Sequence, residues 1–209
     1  YVVGGKACSF RGSPFLKKKY PHPVPLSTFL SELCGASASS ACDSVVGDVL
    51  GSCRPSLDSL GDWIRFHPEH YARHRLYRND QFEVLLLCWD EGQCTPIHDH
   101  DGQAGWITVL EGHLGIQEYK RLGGPKDLRE FESLVETPDG TMPLSRGSRF
   151  RVAAGTSVAE AEPPEAIHSV GPENGRALSL HVYSRPFDSF LVFDEQRQSA
   201  RRIVVTPPA

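Results

Sequence analysis

After His67-Pro68 the chain consists of short runs rich in β-branched and aromatic residues, separated by turn residues. The turns include Asn79-Asp80, Glu111-Gly112 and Glu173-Asn174-Gly175. Many short strands joined by tight turns are typical of an antiparallel barrel or jelly roll. We predict strands at Arg75–Tyr77, Phe82–Trp89, Trp106–Glu111, Gly115–Tyr119, Arg149–Val152, Ala166–Val170, Ala177–Ser184 and Leu191–Asp194.

The N-terminal third has helical patterns instead. Apolar residues recur at helical spacing from Leu26 to Leu33, where Ser27 is a candidate N-cap. A second helix is predicted over 45–50, closed by Gly51, and a third over 57–64. The predicted fold is therefore mainly β, a jelly-roll barrel with a short N-terminal helical section.

The chain has 209 residues, enough for one domain with its own core. We expect an extended or flexible lead-in over 1–25, a single domain over 26–195 and a C-terminal tail over 196–209. The net charge of −4 provides no overall attraction to nucleic acid or to an anionic membrane. Six cysteines without a CxxC pair are typical of a reducing compartment. We therefore expect a cytoplasmic monomer without nucleic-acid or membrane partners.

The segment Pro96-Ile-His98-Asp-His100 contains two histidines at strand spacing. In an extended strand His98 and His100 lie on one face, and Asp99 lies on the other. His168 stands in a second strand-like run, flanked by apolar residues. Three histidines from two separate strands could form a metal pocket that leaves coordination positions open for ligands. The alternative is a metal-free barrel with histidines packed in its core.

A second set of polar residues alternates along one predicted strand, Ser179-Leu-His181-Val-Tyr183. A period of two places the hydroxyl, the imidazole and the phenol on one face, where each can hydrogen-bond the next. Such a chain would orient the Tyr183 phenol for catalysis. His181 could instead be a fourth metal ligand.

Tyr71-Ala-Arg73 precedes the apolar strand over 82–89. An arginine directed into a barrel is a guanidinium fork for a carboxylate, although most arginines lie on the surface. Arg75 and Arg78 lie close enough to take that place. The strand puts Leu85, Leu87 and Trp89 on one face, where they can line a pocket or pack the core, and packing is favoured for Leu85. We expect Arg73, Tyr71, Leu87 and Trp89 to contact substrate.

The spacing of glycines and histidines from Gly92 to Gly112 resembles the first motif of the cupin superfamily, with Gly105 where that motif has glutamate. Together with Tyr71-Ala-Arg73, His168 and Ser179-Leu-His-Val-Tyr-Ser184, this motif resembles the cysteine dioxygenase family. The family oxidises the thiol of L-cysteine with O2 to cysteine sulfinate, a step toward taurine biosynthesis. The resemblance covers about residues 25–195.

The resemblance implies ferrous iron, Fe(2+), held by His98, His100 and His168, with the substrate carboxylate on Arg73. It also implies that Tyr183 is the active-site phenol, supported by His181 and Ser179. Gly105 stands where mammalian members have the cysteine that is cross-linked to this tyrosine. The chain therefore looks like a bacterial-type member with a free phenol. Arg185 stands where many members have proline, so the resemblance does not extend to the local turn.

Other functions remain open at the level of sequence. A 3-mercaptopropionate dioxygenase, or the dioxygenase of another small thiol, has similar histidines. The 3-mercaptopropionate enzyme, however, has glutamine where Arg73 stands here. A non-catalytic cupin that binds a small ligand would have no reason to keep Tyr183 and His181 on one face. A zinc or nickel cupin hydrolase or isomerase usually needs a carboxylate near the metal, which Gly105 does not supply.

Overall fold

The structure is a computed structural model that describes residues 21–37, 42–123, 142–159 and 166–205. The predicted lead-in over 1–20 and the end of the tail, 206–209, lie outside the described residues. None of the helices within these ranges is long and apolar enough to cross a membrane. The helices are α1 (Leu26–Ser37) and α2 (Cys42–Ser52), followed by a 3₁₀ helix (Asp58–Trp63). The strands are β1 (His22–Val24), β2 (Cys53–Pro55), β3 (Ala72–Arg78), β4 (Phe82–Trp89), β5 (Ile97–His98), β6 (Ala104–Glu111), β7 (His113–Arg121), β8 (Leu144–Ala153), β9 (Ser157–Ala159), β10 (Ile167–Pro172), β11 (Ala177–Ser184), β12 (Ser189–Asp194) and β13 (Ser199–Val204).

The strands β3 to β13 form two antiparallel sheets. One has six strands in the order β13-β12-β5-β10-β7-β8, and the other has five in the order β3-β4-β11-β6-β9. One apolar cluster joins residues of both sheets, with Leu87 and Ile107 from the five-stranded sheet and Leu114 and Val170 from the six-stranded sheet. The inner faces of the sheets therefore pack on each other. The predicted cupin-type jelly roll is confirmed.

Strand β4 is buried on both faces. Its inner residues, including Leu85 and Leu87, lie in the core between the sheets, while Val84 and Leu86 belong to a second cluster. That second cluster contains Phe29 and Leu33 of α1 and the residues Val46 and Leu50 of α2. The helical section thus covers the outer face of the five-stranded sheet, and this double burial explains the unbroken apolar run of β4.

The helical predictions hold in outline, but the cap differs. Helix α1 begins at Leu26, so Ser27 lies inside the first turn and is not the N-cap. The Leu26 backbone N–H donates to the Ser59 hydroxyl at 3.0 Å, a partner 33 residues away. A side chain from the 3₁₀ helix therefore satisfies an end group of α1 that local sequence could not assign.

All eight predicted strands are present, and others were missed. The predicted tail after residue 195 is wrong for Ser199–Val204, which form β13 and pair with β12 along their whole length. The predicted lead-in likewise contains β1, which pairs in parallel with β2. Strand β13 buries Ala200 in a third apolar cluster with Leu191 and Phe193, so the domain continues past its predicted boundary.

The turn after β11 differs from the turn a proline would build. Arg185 has φ of +59°, and its backbone N–H donates to the Gln81 carbonyl at 2.7 Å. Proline has a fixed negative φ and no N–H, so it could adopt neither feature. The arginine at this position therefore belongs to a differently built turn, which the sequence alone did not determine.

Candidate metal centre and substrate cavity

Three histidines lie close together at strands β5 and β10 of the six-stranded sheet. His98 of β5 and His168 of β10 are register partners on neighbouring strands, and His100 follows two residues after His98. Their ring centroids lie 4.7–5.2 Å apart. One ligand atom from each lies within 4.8 Å of the others. The structure thus brings together the three predicted metal ligands.

Carboxylates beside the histidines hold their segment in place. Asp99 is buried and accepts the backbone N–H of Leu191 in β12 at 2.8 Å. Asp101 accepts a hydrogen bond from the Arg202 guanidinium of β13 at 3.0 Å. Strand β5 ends at His98 and Asp101 has φ of +51°, so regular strand alternation does not continue here, although the histidines converge and the aspartates anchor their segment to β12 and β13.

The protonation of the histidines suits metal binding. The His98 Nδ1–H can donate to the Pro96 carbonyl at 2.9 Å, which leaves Nε2 as the ligand atom. Burial lowers the pKa of His100 to about 3, so this ring is neutral near pH 7. Neutral imidazoles are the metal-binding form of histidine, and three of them fit an iron(II) ion with positions left for other ligands.

A buried hydrogen-bond chain leads to Tyr183. The Trp89 indole N–H donates to Ser179 Oγ at 2.8 Å, and Ser179 Oγ lies 2.9 Å from His181 Nε2. His181 Nδ1 lies 3.5 Å from the Tyr183 hydroxyl, a long contact. The predicted alternation of Ser179, His181 and Tyr183 on one face is confirmed, and Trp89 extends the chain at its far end.

The indole gives this chain a direction. Indole N–H is a donor only, so Ser179 accepts from Trp89, and its single hydrogen is available for His181 Nε2. Burial, with smaller contributions from His100, His98 and Arg73, lowers the pKa of His181 to about 3. A neutral ring that accepts at Nε2 carries its hydrogen on Nδ1, which then points to the Tyr183 oxygen. We assign this tautomer, and it leaves the phenol hydrogen of Tyr183 for a molecule in the cavity.

His98, His168 and Tyr183 border a cavity of about 250 Å³ between the sheets. Its polar wall includes Tyr71 and Arg73 as well as His181, while Leu85 and Leu87 supply apolar surface from β4. Arg73 lines the cavity, whereas Arg75 and Arg78 are not among the lining residues. Leu85 lines the cavity besides packing in the core. The remaining lining residues are Thr95, Pro96, Val170, Phe187, Phe190, Ile203, Val204 and Val205.

One predicted substrate contact is placed differently. Trp89 is fully buried and does not line the cavity. Its ring stacks on Tyr71, with centroids 4.7 Å apart. Since Tyr71 lines the cavity, Trp89 supports that wall from behind and reaches the site through Tyr71 and Ser179.

The cavity also contains residues that the sequence analysis did not select. Ile203, Val204 and Val205, at the end of β13, form part of its apolar wall. Three consecutive β-branched residues are a strand signal that could have been found, but they lay in the segment treated as a tail.

Gly105 of β6 is the register partner of Tyr183, so no sulfur faces the phenol from that position.

Comparison with known proteins agrees with this geometry. The family model described as cysteine dioxygenase type I matches residues 45–196. The chain belongs to this family. The match includes the three histidines and the Ser179, His181 and Tyr183 set, and thereby most of the two sheets.

Individual relatives share about a quarter of their aligned residues with the chain. The chain is 26% identical to cysteine dioxygenase type 1 of Homo sapiens over 147 residues, covering 69% of this chain and 66% of that one. The chain therefore spans just under two thirds of this curated relative's length. It is 25% identical to 2-aminoethanethiol dioxygenase of Mus musculus over 131 residues, 54% of this chain and 48% of that one. A solved protein with a double-stranded β-helix domain from Klebsiella pneumoniae is 16% identical, with a TM-score of 0.45 over 65% of this chain and 95% of that one.

Proposed function

We propose that the protein is a non-haem iron(II) dioxygenase that converts the thiol of L-cysteine to cysteine sulfinate. The observation that carries the proposal is the convergence of three histidines, two of which line one cavity together with Arg73. The family membership supports thiol oxidation as the reaction class. The overall change adds O2 to the thiol, RSH + O2 → RSO2H, so no external reductant is needed.

His98, His100 and His168 would hold the iron. Iron(II) bound there would bring thiolate and oxygen together and activate the oxygen for reaction with sulfur. The cavity of about 250 Å³ suits a molecule of a few heavy atoms, and much of its wall is apolar.

Arg73 would bind the substrate carboxylate. Its guanidinium lines the cavity and is the cation best placed to meet a carboxylate there. This residue favours thiols that carry a carboxylate, such as L-cysteine and 3-mercaptopropionate. It argues against 2-aminoethanethiol, the substrate in the name of the Mus musculus relative, because that thiol has no carboxylate.

Tyr183 would stabilise negative charge that develops on oxygen and sulfur. Its hydroxyl accepts from His181 in the assigned hydrogen-bond chain, so its hydrogen can be donated into the cavity. A donor that is positioned before the reaction begins costs no reorganisation during it. The phenol is therefore a catalytic residue in this proposal, and His181 and Ser179 position it.

The proposal is tested by the choice of thiol. Anaerobically reconstituted ferrous protein is given L-cysteine, 3-mercaptopropionate or 2-aminoethanethiol, and oxygen uptake is followed with sulfinate formation. We expect the highest kcat/KM with L-cysteine. A preference for 3-mercaptopropionate would favour the alternative substrate, and a preference for 2-aminoethanethiol would remove the role given to Arg73.

The matched variant is Arg73→Gln. Loss of a desolvated carboxylate partner typically costs about 2–5 kcal/mol, so KM for L-cysteine should rise steeply. Oxidation of 2-aminoethanethiol should change much less. Equal losses with both thiols would contradict a carboxylate contact at Arg73.

Taurine biosynthesis, the monomeric state and the cytoplasmic location stay predictions.

A further inference from the structure

A buried carboxylate lies beside the substrate arginine and has no part in the chemistry described above. Glu83, near the start of β4, is 0% exposed and lies on the inner face of its strand. Its Oε1 accepts from the Arg75 Nε at 2.6 Å, and its Oε2 accepts from the Arg73 Nη2 at 3.4 Å. Arg78 Nη1 lies 3.6 Å from Oε1. One fully buried acid is thus surrounded by three guanidinium groups.

The cluster carries one more positive charge than negative. Arg78 also pairs with Asp188 at 2.6 Å, but the Asp188 side chain is 77% exposed and the pair is weakened by solvent. The three arginines carry three positive charges and the two carboxylates carry two negative charges, so among the described residues the cluster has a net charge of +1. A single carboxylate in the cavity would balance this excess.

The arginines divide between two tasks. Arg75 makes the short contact with Glu83 and does not line the cavity, so it neutralises the buried acid. Arg73 makes the longer contact and does line the cavity. A guanidinium has five N–H groups, so Arg73 can keep its contact with Glu83 while other N–H groups meet a ligand.

The strand register connects this cluster with the phenol. Glu83 is the register partner of Tyr183 on β11 and of Arg78 on β3. Arg73, two positions before Arg75 on β3, pairs with Leu87 farther along β4. A carboxylate fixed at Glu83 therefore holds the Arg73 guanidinium in a set position relative to Tyr183.

We infer that Glu83 is a positioning and specificity residue, which fixes Arg73 at the cavity wall and sets the local charge for small thiols with one carboxylate. This inference rests on the proposed function, whose substrate class it narrows. Without the Glu83 charge, Arg73 loses its anchor and the arginines repel one another, so the guanidinium leaves the position in which it meets the substrate carboxylate.

The test compares Glu83→Gln with the unchanged protein, both as ferrous enzyme. Gln is nearly isosteric and keeps one acceptor oxygen but cannot hold Arg73 and Arg75 together by charge. We expect KM for L-cysteine to rise about tenfold or more, and oxidation of 2-aminoethanethiol to change by less than about threefold. Glu83→Asp, which restores the charge on a shorter side chain, should lie between the two proteins. Equal changes with both thiols, or none, would overturn the inference.

The matched control is Glu195→Gln. It removes the carboxylate of another arginine pair, with Arg146 at 2.8 Å, which does not line the cavity. This variant should show unchanged constants for both thiols. If Glu83→Gln does not fold, Arg75→Gln tests the same inference. Without the Arg75 charge, Glu83 draws Arg73 toward itself. KM for L-cysteine should therefore rise, although Arg75 does not line the cavity. An unchanged KM would overturn the inference.

Anaerobic calorimetry separates this inference from the proposed function. L-cysteine and 2-aminoethanethiol are titrated into ferrous protein, and their dissociation constants are compared between Glu83→Gln and the unchanged protein. Weaker binding of L-cysteine alone supports the role of Glu83 even if the unchanged protein oxidises neither thiol. Normal turnover with no selective loss of L-cysteine binding would refute Glu83 alone and leave the proposed function standing.

Discussion

At the scale of single residues, the hydrogen-bond chain from Trp89 to Tyr183 decides which groups act in the cavity. Trp89 can only donate, and in the assigned tautomer Ser179 donates to His181, whose Nδ1–H points to the Tyr183 oxygen. The chain therefore makes the Tyr183 phenol a donor toward the cavity and makes Trp89 a positioning residue rather than a substrate contact.

Tyr183→Phe keeps the ring and removes the donor. Turnover of L-cysteine should fall by about 10²-fold or more, as for other single positioned donors, while iron content stays unchanged. Trp89→Phe should give a smaller fall, because Ser179 then loses the donor that fixes its direction. Steady-state oxygen uptake measures both variants. Near-normal turnover in Tyr183→Phe would make the phenol a core residue with a satisfied hydroxyl.

His168→Ala tests the ligand set. His168 is the only one of the three histidines that lies in β10, and its loss removes one of three nitrogen ligands. We expect most of the iron and all measurable activity to be lost, and iron is measured by metal analysis after reconstitution. Full iron content in the variant would remove His168 from the centre.

The site residues were predictable where side chains suited to metal binding or hydrogen bonding recur at the two-residue period of a strand. His98 and His100, like Ser179, His181 and Tyr183, have this spacing in the sequence. Glu83 was missed because a lone acid in an apolar strand shows nothing of its partners. Its environment depends on Arg73, Arg75 and Arg78, which reach it only through the β3 and β4 pairing.

At the scale of elements, long strands were predictable and short ones were not. Phe82–Trp89 and Ala177–Ser184 match their predicted ranges, and both have eight residues and are buried throughout. Strand β5 has only two residues, and its pairing depends on β10 and β12, so no local pattern could show it. Strand β13 was missed because Arg201-Arg202 interrupts its apolar pattern.

The end of β13 provides a test of the cavity wall. Val204 is 72% exposed and lines the cavity, whereas Leu122 is 67% exposed and does not line it. Val204→Asp places a negative charge where the substrate carboxylate must pass, so KM for L-cysteine should rise by several-fold. Leu122→Asp should leave KM unchanged, and added salt should reduce the effect of Val204→Asp. Equal KM values for the two variants would place the entrance elsewhere.

At the scale of the whole molecule, buried neutral histidines connect the site to stability. Burial lowers the pKa of both His100 and His181 to about 3, whereas an unfolded histidine titrates near 6.5. Between these values the unfolded chain binds more protons than the folded chain. The contribution of these groups to stability is therefore present above pH about 6.5 and is lost as pH falls toward 3.

The melting temperature of the metal-free protein should fall as pH is lowered from 7 to 4. His181→Phe removes one of the two buried groups, so its melting temperature should depend less steeply on pH over the same range. Thermal unfolding followed by circular dichroism at a series of pH values measures both slopes. Parallel curves for the two proteins would contradict a neutral, buried His181.

The fate of oxygen tests the central claim most directly. The ferrous protein is incubated with L-cysteine under isotopically labelled dioxygen, and the product is analysed by mass spectrometry together with oxygen consumption. A thiol dioxygenase with this site predicts cysteine sulfinate in which both oxygen atoms carry the label, with one O2 consumed for each product molecule. Cystine as the main product, or sulfinate with label in only one oxygen, would contradict the account.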